Sequence, residues 1–179
     1  MSMRELARQL DIAVSGLYRY VQNKRELWFA CIDKDFENLS KEMDEIESNH
    51  KGNDLELLQK IGTYFLQLSQ DNFPLFKFMF LTEPPSSNKE KGPFELQCSK
   101  FGFSNLINII SRAMKSGEIL KTNPLLLSLT IWGFVLGPAI ISSPMFAYFF
   151  EDVPTDVFNI DVYHSYVLSS LKKVYGNEN

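Results

Sequence analysis

The sequence predicts an all-α protein in which a short helix-turn-helix head is followed by a larger helical body. Three observations support this prediction. Two short amphipathic segments open the chain, apolar residues recur at helical spacing through most of the remainder, and stretches containing Pro, Gly and Ser separate the segments. With 179 residues and 45% hydrophobic composition, the chain can bury a sizeable core.

The stretch from Met3 to Leu27 contains the two short segments. The first repeats apolar residues at helical spacing, residues 11 to 13 interrupt the pattern, and the second turns Leu17 and Val21 inward. Two helices joined by such a turn form a helix-turn-helix, whose second helix reads base edges in the major groove. From spacing alone, an ordinary two-helix hairpin is an equally good interpretation. The small or donor-bearing residues suited to base contacts are Val14, Ser15, Gly16 and Arg19.

A longer pattern favours the DNA-binding interpretation. The residues R-E-L-A-x-x-L-x-I-A-x-x-x-L-Y-R-Y-V-x-N-K-x-E-L, from Arg4 to Leu27, resemble the DNA-binding signature of TetR-type transcriptional regulators. This resemblance implies that Tyr18, Tyr20 and Lys24 contact the DNA backbone. The complete set of candidate DNA-binding residues is Ser2, Val14, Ser15, Gly16, Tyr18, Arg19, Tyr20 and Lys24.

Two positions in the turn depart from that signature. The family usually has Gly where this chain has Asp11, and Ser or Thr where it has Ala13. Asp tolerates a left-handed backbone better than most residues, so the turn is expected to form. Ala13 lacks the side-chain oxygen of an N-cap, which typically costs ~1 kcal/mol. We therefore expect the recognition helix to start loosely.

The beginning of the chain also differs from the family pattern. TetR-type chains usually begin with a further helix that packs across the helix-turn-helix, whereas Ser2 here looks like the cap of the first helix. Without a cover, apolar side chains of the head forgo about 25 cal/mol for each Å² left in water. We expect a mobile or rearranged head, unless the aromatic body or a partner chain covers Met3, Leu6, Leu10, Leu17 and Val21.

Charge supports a division into head and body. Residues 1–28 hold five basic and three acidic residues, so their charge is +2, and the remainder carries −6 of the total −4. A basic head on an acidic body suits a DNA reader attached to another domain. The predicted domains are the head, 1–28, and a ligand-binding and dimerisation domain, 29–179, joined through a helix over 24–48.

The body is predicted to consist of successive helices. Asn23 and Glu26 have the spacing of a capping box that opens the helix over 24–48, and Asp54 is the expected cap of the next helix. Asn72-Phe73-Pro74 starts a short aromatic helix, and a polar loop over 82–93 follows. One long helix is expected over 94–116, ended by Gly117.

No charged residue occurs from Thr122 to Phe150. This length would allow a membrane span, but prolines, glycines and serines divide the stretch into shorter pieces. The favoured interpretation is a helix from Pro124 to Leu136 that is apolar nearly all round and must be covered on both sides. A last helix is expected from Asp156 to Gly176. The family resemblance implies that these two helices form a dimer interface, with no membrane involved.

No catalytic or metal-binding pattern occurs in the sequence, so we expect neither an enzyme nor a cofactor. Cys31 and Cys98 lack metal-ligand spacing, and no signal peptide precedes them, which favours a reducing cytoplasm. The aromatic body could line an apolar ligand cavity, although plain core packing is the alternative at each position. The candidate pocket residues are Tyr64, Phe76, Met79, Phe101 and Trp132.

Together these features predict a cytoplasmic, ligand-responsive regulator of transcription. The expected partners are a double-stranded, palindromic DNA operator, a small apolar or aromatic effector, and a second copy of the chain. Repression is the expected mode of action. The alternative is a helical ligand-binding or interaction protein that has lost DNA binding.

Overall fold

The computed structural model describes residues 2–101 and 103–141, together with Val162, Ser165, Tyr166 and Ser169. Its elements are all helices, which confirms the predicted all-α fold. In chain order they are α1 (Met3–Gln9), α2 (Val14–Leu17), α3 (Lys24–Ser48), α4 (Asp54–Asp71), α5 (Phe73–Phe80), α6 (Pro93–Cys98), α7 (Ser104–Ser116) and α8 (Pro124–Ile141).

Contacts within the chain define two compact units. The first comprises Met1–Asp44 and Leu81–Gly102, and the second comprises Glu45–Phe80 and the chain from Phe103 onward. The predicted boundary at residue 28 therefore does not coincide with the division by contacts. The segment Leu81–Gly102, which contains α6, belongs to the first unit because it packs against α1, α2 and the start of α3.

The head has a small apolar core of its own. Its buried residues are packed against Leu27 and Ala30 of α3 and against Phe94 of α6. The expectation that the apolar residues of the head lack a cover is wrong for most of them, because these three side chains supply it. Leu10 is the exception, with 55% of its surface exposed. The buried members of this core are Met3, Ala7, Leu17 and Val21.

The local signals at the start of the chain are confirmed. The Ser2 hydroxyl accepts a hydrogen bond from the Glu5 backbone N–H at 3.1 Å, and the Glu5 carboxylate accepts one from the Ser2 N–H at 3.4 Å. Asp11 adopts the left-handed conformation with φ of 51°. Ala13 offers no side-chain hydrogen bond to α2, which is only four residues long. The turn thus forms as predicted, with a weakly capped second helix.

In the second unit, α4 packs against α5, α7 and α8, and α7 packs against α8. The cap of α4 is Asn53, whose side chain accepts the Glu56 N–H at 2.8 Å, so the prediction of Asp54 as the cap is wrong. Asp54 instead lies one residue into the helix and pairs with Arg112 of α7 at 2.8 Å. The buried core of this unit is Leu57, Leu58, Ile109, Ile110, Ala113, Ile119 and Leu127.

Two helix predictions in the body need correction. The single helix expected over 94–116 is two helices, α6 and α7, because the chain passes from the first unit to the second between them. Gly117 ends α7 with φ of 82°, as expected. Helix α8 continues past Leu136 to Ile141 and contains Pro138. The predicted last helix lies outside the described residues, apart from four helical positions: Val162, Ser165, Tyr166 and Ser169.

Candidate functional site

The surface of the helix-turn-helix displays a group of polar and aromatic side chains. Leu17 and Val21 are buried as anchors, and the residues between them are directed outward. Tyr18 is 51% exposed and Tyr20 is 83% exposed. These exposed tyrosine rings bury little apolar surface within the chain. A binding partner can therefore pack against the ring and form a hydrogen bond with the hydroxyl. The exposed candidate residues are Ser2, Ser15, Tyr18, Arg19, Tyr20 and Lys24.

Tyr18, Arg19 and Tyr20 directly follow α2 rather than lie within it. The N–H groups of Arg19 and Tyr20 donate to the carbonyls of Gly16 and Leu17, at 3.3 and 3.1 Å. The helical path is thereby continued as tight turns up to Val21. The sequence correctly identified the exposed face, but it did not show that regular helix covers only Val14–Leu17.

Gly16 lies on this same face with open space around it. A Cβ atom added there would meet no other atom within 4 Å. The fold therefore does not require glycine at this position. Because glycine has no side chain, the backbone at this position is accessible, and the edge of a DNA base can approach it closely.

The start of α3 places Lys24 on the exposed side of the head. Asn23 caps the helix, because its side chain accepts the Glu26 N–H at 2.9 Å. The reciprocal half of the predicted capping box is wrong. The buried Glu26 carboxylate accepts the N–H of Phe94 at 2.8 Å instead, and so joins α3 to the first turn of α6.

A second polar contact joins the same two helices. The guanidinium of Arg25 donates two hydrogen bonds to the carboxylate of Glu95, at 2.9 and 2.6 Å. The Glu95 side chain is 5% exposed and the Arg25 side chain 29% exposed. The hydrogen bonds from Arg25 lower the pKa of Glu95, against the effect of burial. This bidentate ion pair holds α6 against α3, the helix that begins with Lys24.

Close backbone approach completes this junction, which we call the α3–α6 clamp and define by Arg25, Glu26, Gly92, Phe94 and Glu95. A Cβ atom at Gly92 would collide with the carboxylate of Glu26, so a larger residue would have to displace this carboxylate from the N–H of Phe94. Sequence reasoning missed the clamp. Its members are separated by about seventy residues along the chain, and no local periodicity connects them.

The aromatic residues of the second unit are centred on Trp132. Its ring lies 5.1 Å from Phe65, 5.4 Å from Phe80 and 5.9 Å from Phe103, in edge-to-face arrangements. Phe76 joins the group through Phe80, at 5.0 Å. The sequence did not select Phe65, Phe80 or Phe103, although their apolar character was visible. We call these residues the Trp132 cluster.

The predicted pocket residues have different environments. Phe76 and Met79 are buried, with 0 and 7% exposure, whereas Tyr64 and Trp132 are half-buried. Phe101 belongs to the first unit, where its ring lies 5.4 Å from Phe36. The structure thus groups Phe76 and Trp132 in one aromatic cluster and gives Phe101 a separate set of neighbours.

The two cysteines have contrasting environments. Cys31 is exposed, and Cys98 is buried in the first unit. Burial raises the pKa of the Cys98 thiol to about 11, and the nearby carboxylate of Asp33 adds to this effect. The thiol therefore stays protonated and is a poor nucleophile. Within residues 2–101 and 103–141, no group of His, Cys, Asp and Glu has the arrangement needed to hold a metal ion.

Helix α8 presents an apolar side outside the core. Leu125, Leu126 and Leu129 are 49, 61 and 48% exposed. In the described part of the chain, α8 alone is long and apolar enough to cross a membrane, judged by length and composition, and 28% of it is buried. A helix in the core of a protein is mostly buried. The three exposed leucines, which we call the outer leucines, therefore indicate that another apolar surface packs on this side of α8.

No protein-family model matches this sequence, and no curated protein matches it. Solved structures do share its fold. AibR in complex with isovaleryl coenzyme A and operator DNA is 20% identical, with a TM-score of 0.63 over 96% of this chain and 86% of that chain. FadR from Bacillus subtilis in complex with stearoyl-CoA is 19% identical, with a TM-score of 0.59 over 96 and 87% of the two chains.

A third solved structure carries the family description directly. A candidate tetR family transcription regulator from Shewanella sp. PV-4 is 16% identical, with a TM-score of 0.63 over 98% of this chain and 87% of that chain. The chain therefore shares the fold of TetR-type regulators over most of its length, as the resemblance of its first residues implied.

Proposed function

We propose that this protein is a DNA-binding regulator of transcription, without catalytic activity, whose affinity for an operator is controlled by a small molecule. The observation that carries this proposal is the exposed face of the helix-turn-helix, where Ser15, Arg19 and Tyr20 are exposed and Gly16 faces open space. Side chains of this kind, supported by two buried anchors, suit base readout flanked by phosphate contacts. The fold shared with AibR and FadR supports the same proposal.

The proposal is tested by selection from a random pool of DNA duplexes. We expect the protein to enrich a palindromic sequence, because two identical heads bind half-sites related by a two-fold axis. The DNA that flanks the gene is the first natural sequence to test for binding. Enrichment of no sequence would favour the alternative, a helical ligand-binding or interaction protein that has lost DNA binding.

Replacing Arg19 and Lys24 separates base readout from phosphate contact. Arg19→Ala should reduce the preference for the selected site over random DNA by about 1 to 3 kcal/mol for each bound head, whereas Lys24→Ala should weaken binding to both and flatten the salt dependence by about one unit for each bound head. Affinity is measured by fluorescence anisotropy over a salt series, with Lys60→Ala in the second unit as the control. Equal losses on both DNAs for Arg19→Ala would make Arg19 a phosphate contact only.

We also propose that a second copy of the chain covers the outer leucines of α8. Such an interface should bury more than about 2,000 Å² in total. Sedimentation at micromolar concentration, without detergent, should give a dimer, and Leu126→Glu with Leu129→Glu should give a monomer, because a buried charge opposes association. Leu96→Glu alters a leucine of similar exposure on α6 and should leave the dimer intact. Monomeric unaltered protein, or recovery only with membranes, would contradict the dimer.

For the effector we propose an acyl thioester of coenzyme A, with its acyl chain against the Trp132 cluster. AibR and FadR were solved with isovaleryl coenzyme A and stearoyl-CoA. In this chain, half-buried Trp132 packs on Phe65 and Phe80, half-buried Tyr64 adjoins Phe65, and buried Phe76 adjoins Phe80. Buried Met79 lies on the same helix as Phe76, and this apolar group suits an apolar chain more than a polar ligand. A soluble regulator of this kind would act in the cytoplasm, where DNA and such thioesters are both present.

A further inference from the structure

We infer that Lys89 and Lys91, on the loop before α6, form a second phosphate-binding patch beside Lys24, outside the helix-turn-helix itself. The ligand is the backbone of the same DNA duplex that the head reads. This inference rests on the proposed function, since it adds contacts to a DNA complex. We call these two residues and Lys24 the lysine patch.

The first argument is position. The ammonium of Lys89 donates a hydrogen bond to the backbone carbonyl of Gln22, at 3.1 Å. Gln22 lies two residues before Lys24, and two residues of chain span at most about 7 Å. The Lys89 charge is therefore on the order of 10 Å from the start of α3, at the edge of the surface assigned to DNA.

The second argument is rigidity. The loop that carries the lysines is held immediately downstream by the α3–α6 clamp, where Gly92 touches the Glu26 carboxylate and Glu95 pairs with Arg25. It is held upstream by the contact of Lys89 with Gln22. Lys91 lies between these two attachments. The backbone next to Lys91 is thus held at Gly92, which reduces the entropy lost when this side chain binds a phosphate.

The third argument is charge. Lys24, Lys89 and Lys91 are all exposed. The two carboxylates of the clamp are buried: Glu95 is bound by Arg25, and one oxygen of Glu26 accepts the Phe94 N–H while its other oxygen has no hydrogen-bond partner. Glu90 is exposed between the two lysines and opposes them. The outward-facing balance of this patch remains positive, as an electrostatic footprint for phosphate requires.

The chemistry of lysine identifies the kind of contact. An ammonium on a flexible stem is a point charge without the planar fork with which arginine reads guanine. The lysine patch should therefore add affinity without sequence preference. Each phosphate neutralised on duplex DNA changes the slope of log affinity against log salt by about 0.9.

The test uses a double variant that carries both Lys89→Gln and Lys91→Gln. Its DNA affinity over a salt series is compared with that of the unaltered protein, on the selected duplex and on a random duplex. We expect the salt slope to flatten by nearly two units for each bound head, and so by nearly four units for the two heads of a dimer, on both duplexes. Between 50 and 200 mM salt, the dimeric variant should then lose roughly a hundredfold less affinity than the unaltered protein. The preference for the selected duplex should not change. The matched control, Lys115→Gln with Lys121→Gln, alters two exposed lysines of the second unit and should keep the original slope.

Further variants separate charge from structure. Glu90→Gln should tighten binding to both duplexes, because it removes the opposing charge. Lys89→Arg should retain the slope, since it keeps the charge. An unchanged slope in the double variant, with DNA binding by the unaltered protein intact, would overturn the lysine patch alone. Absence of DNA binding by the unaltered protein would overturn the proposed function and the patch together.

Discussion

Replacing Arg25 with alanine is expected to lower the free energy of unfolding by about 3 kcal/mol, because it leaves a buried carboxylate without its partner. The Glu95 side chain is only 5% exposed, so water reaches it less easily than an exposed carboxylate and replaces the two hydrogen bonds from Arg25 poorly. Glu95→Ala should cost less, about 1 kcal/mol, since Arg25 is 29% exposed and can be hydrated. Urea unfolding of the two single variants measures this asymmetry.

The double variant and the pH dependence provide controls for this prediction. Loss of both side chains should resemble Glu95→Ala rather than the sum of the single losses. Arg25 lowers the pKa of Glu95 in the folded state. The pair therefore contributes its full stabilisation at pH values above the ordinary pKa of a glutamate, about 4.3. The stability advantage over Glu95→Gln should shrink as the pH falls through that lowered pKa. Equal losses for both single variants, or an advantage independent of pH, would contradict the clamp.

Replacing Trp132 with alanine should have an effect of similar size on stability and a larger one on the effector. Its ring contacts three other aromatic rings, so its loss should cost about 3 kcal/mol. If an acyl chain lies against this ring, the variant should also lose the stabilisation that stearoyl-CoA gives the unaltered protein. That stabilisation is about 2.7 kcal/mol at a hundredfold excess over the dissociation constant. Thermal unfolding with and without stearoyl-CoA measures both effects.

The control for this prediction is Leu57→Ala. Leu57 is 2% exposed in the apolar core of the same unit, so its truncation should destabilise the protein by about 2 to 5 kcal/mol. Because Leu57 lies outside the Trp132 cluster, the shift with stearoyl-CoA should persist. A persistent shift in Trp132→Ala, or its loss in both variants, would remove the assignment of the acyl chain to this cluster.

Features decided by neighbouring residues could be predicted from the sequence. The caps at Ser2 and Asn23, the left-handed turn at Asp11 and the helix end at Gly117 all depend on residues within one turn of each other. The same is true of the exposed face of the helix-turn-helix, because the anchors Leu17 and Val21 determine which side chains point outward. All of them except the helix end at Gly117 belong to the nucleic-acid part of the candidate site.

Features decided by tertiary contacts could not be predicted in this way. Glu26 has capping-box spacing, yet its carboxylate binds Phe94, because burial beside α6 offers a donor that periodicity does not show. The apolar spacing of residues 94–116 continues across the break between α6 and α7, since both helices are amphipathic but pack in different units. Phe101 looks like a pocket residue by composition, and its ring packs on Phe36.

The most direct test of a ligand-responsive regulator is the coupling between its two ligands. The affinity for the selected operator is measured with and without stearoyl-CoA and isovaleryl-CoA, and the affinity for each thioester is measured with and without operator. The account predicts that at least one thioester weakens operator binding, and that operator weakens binding of that thioester by the same factor. Thioester binding that leaves operator affinity unchanged would contradict the account.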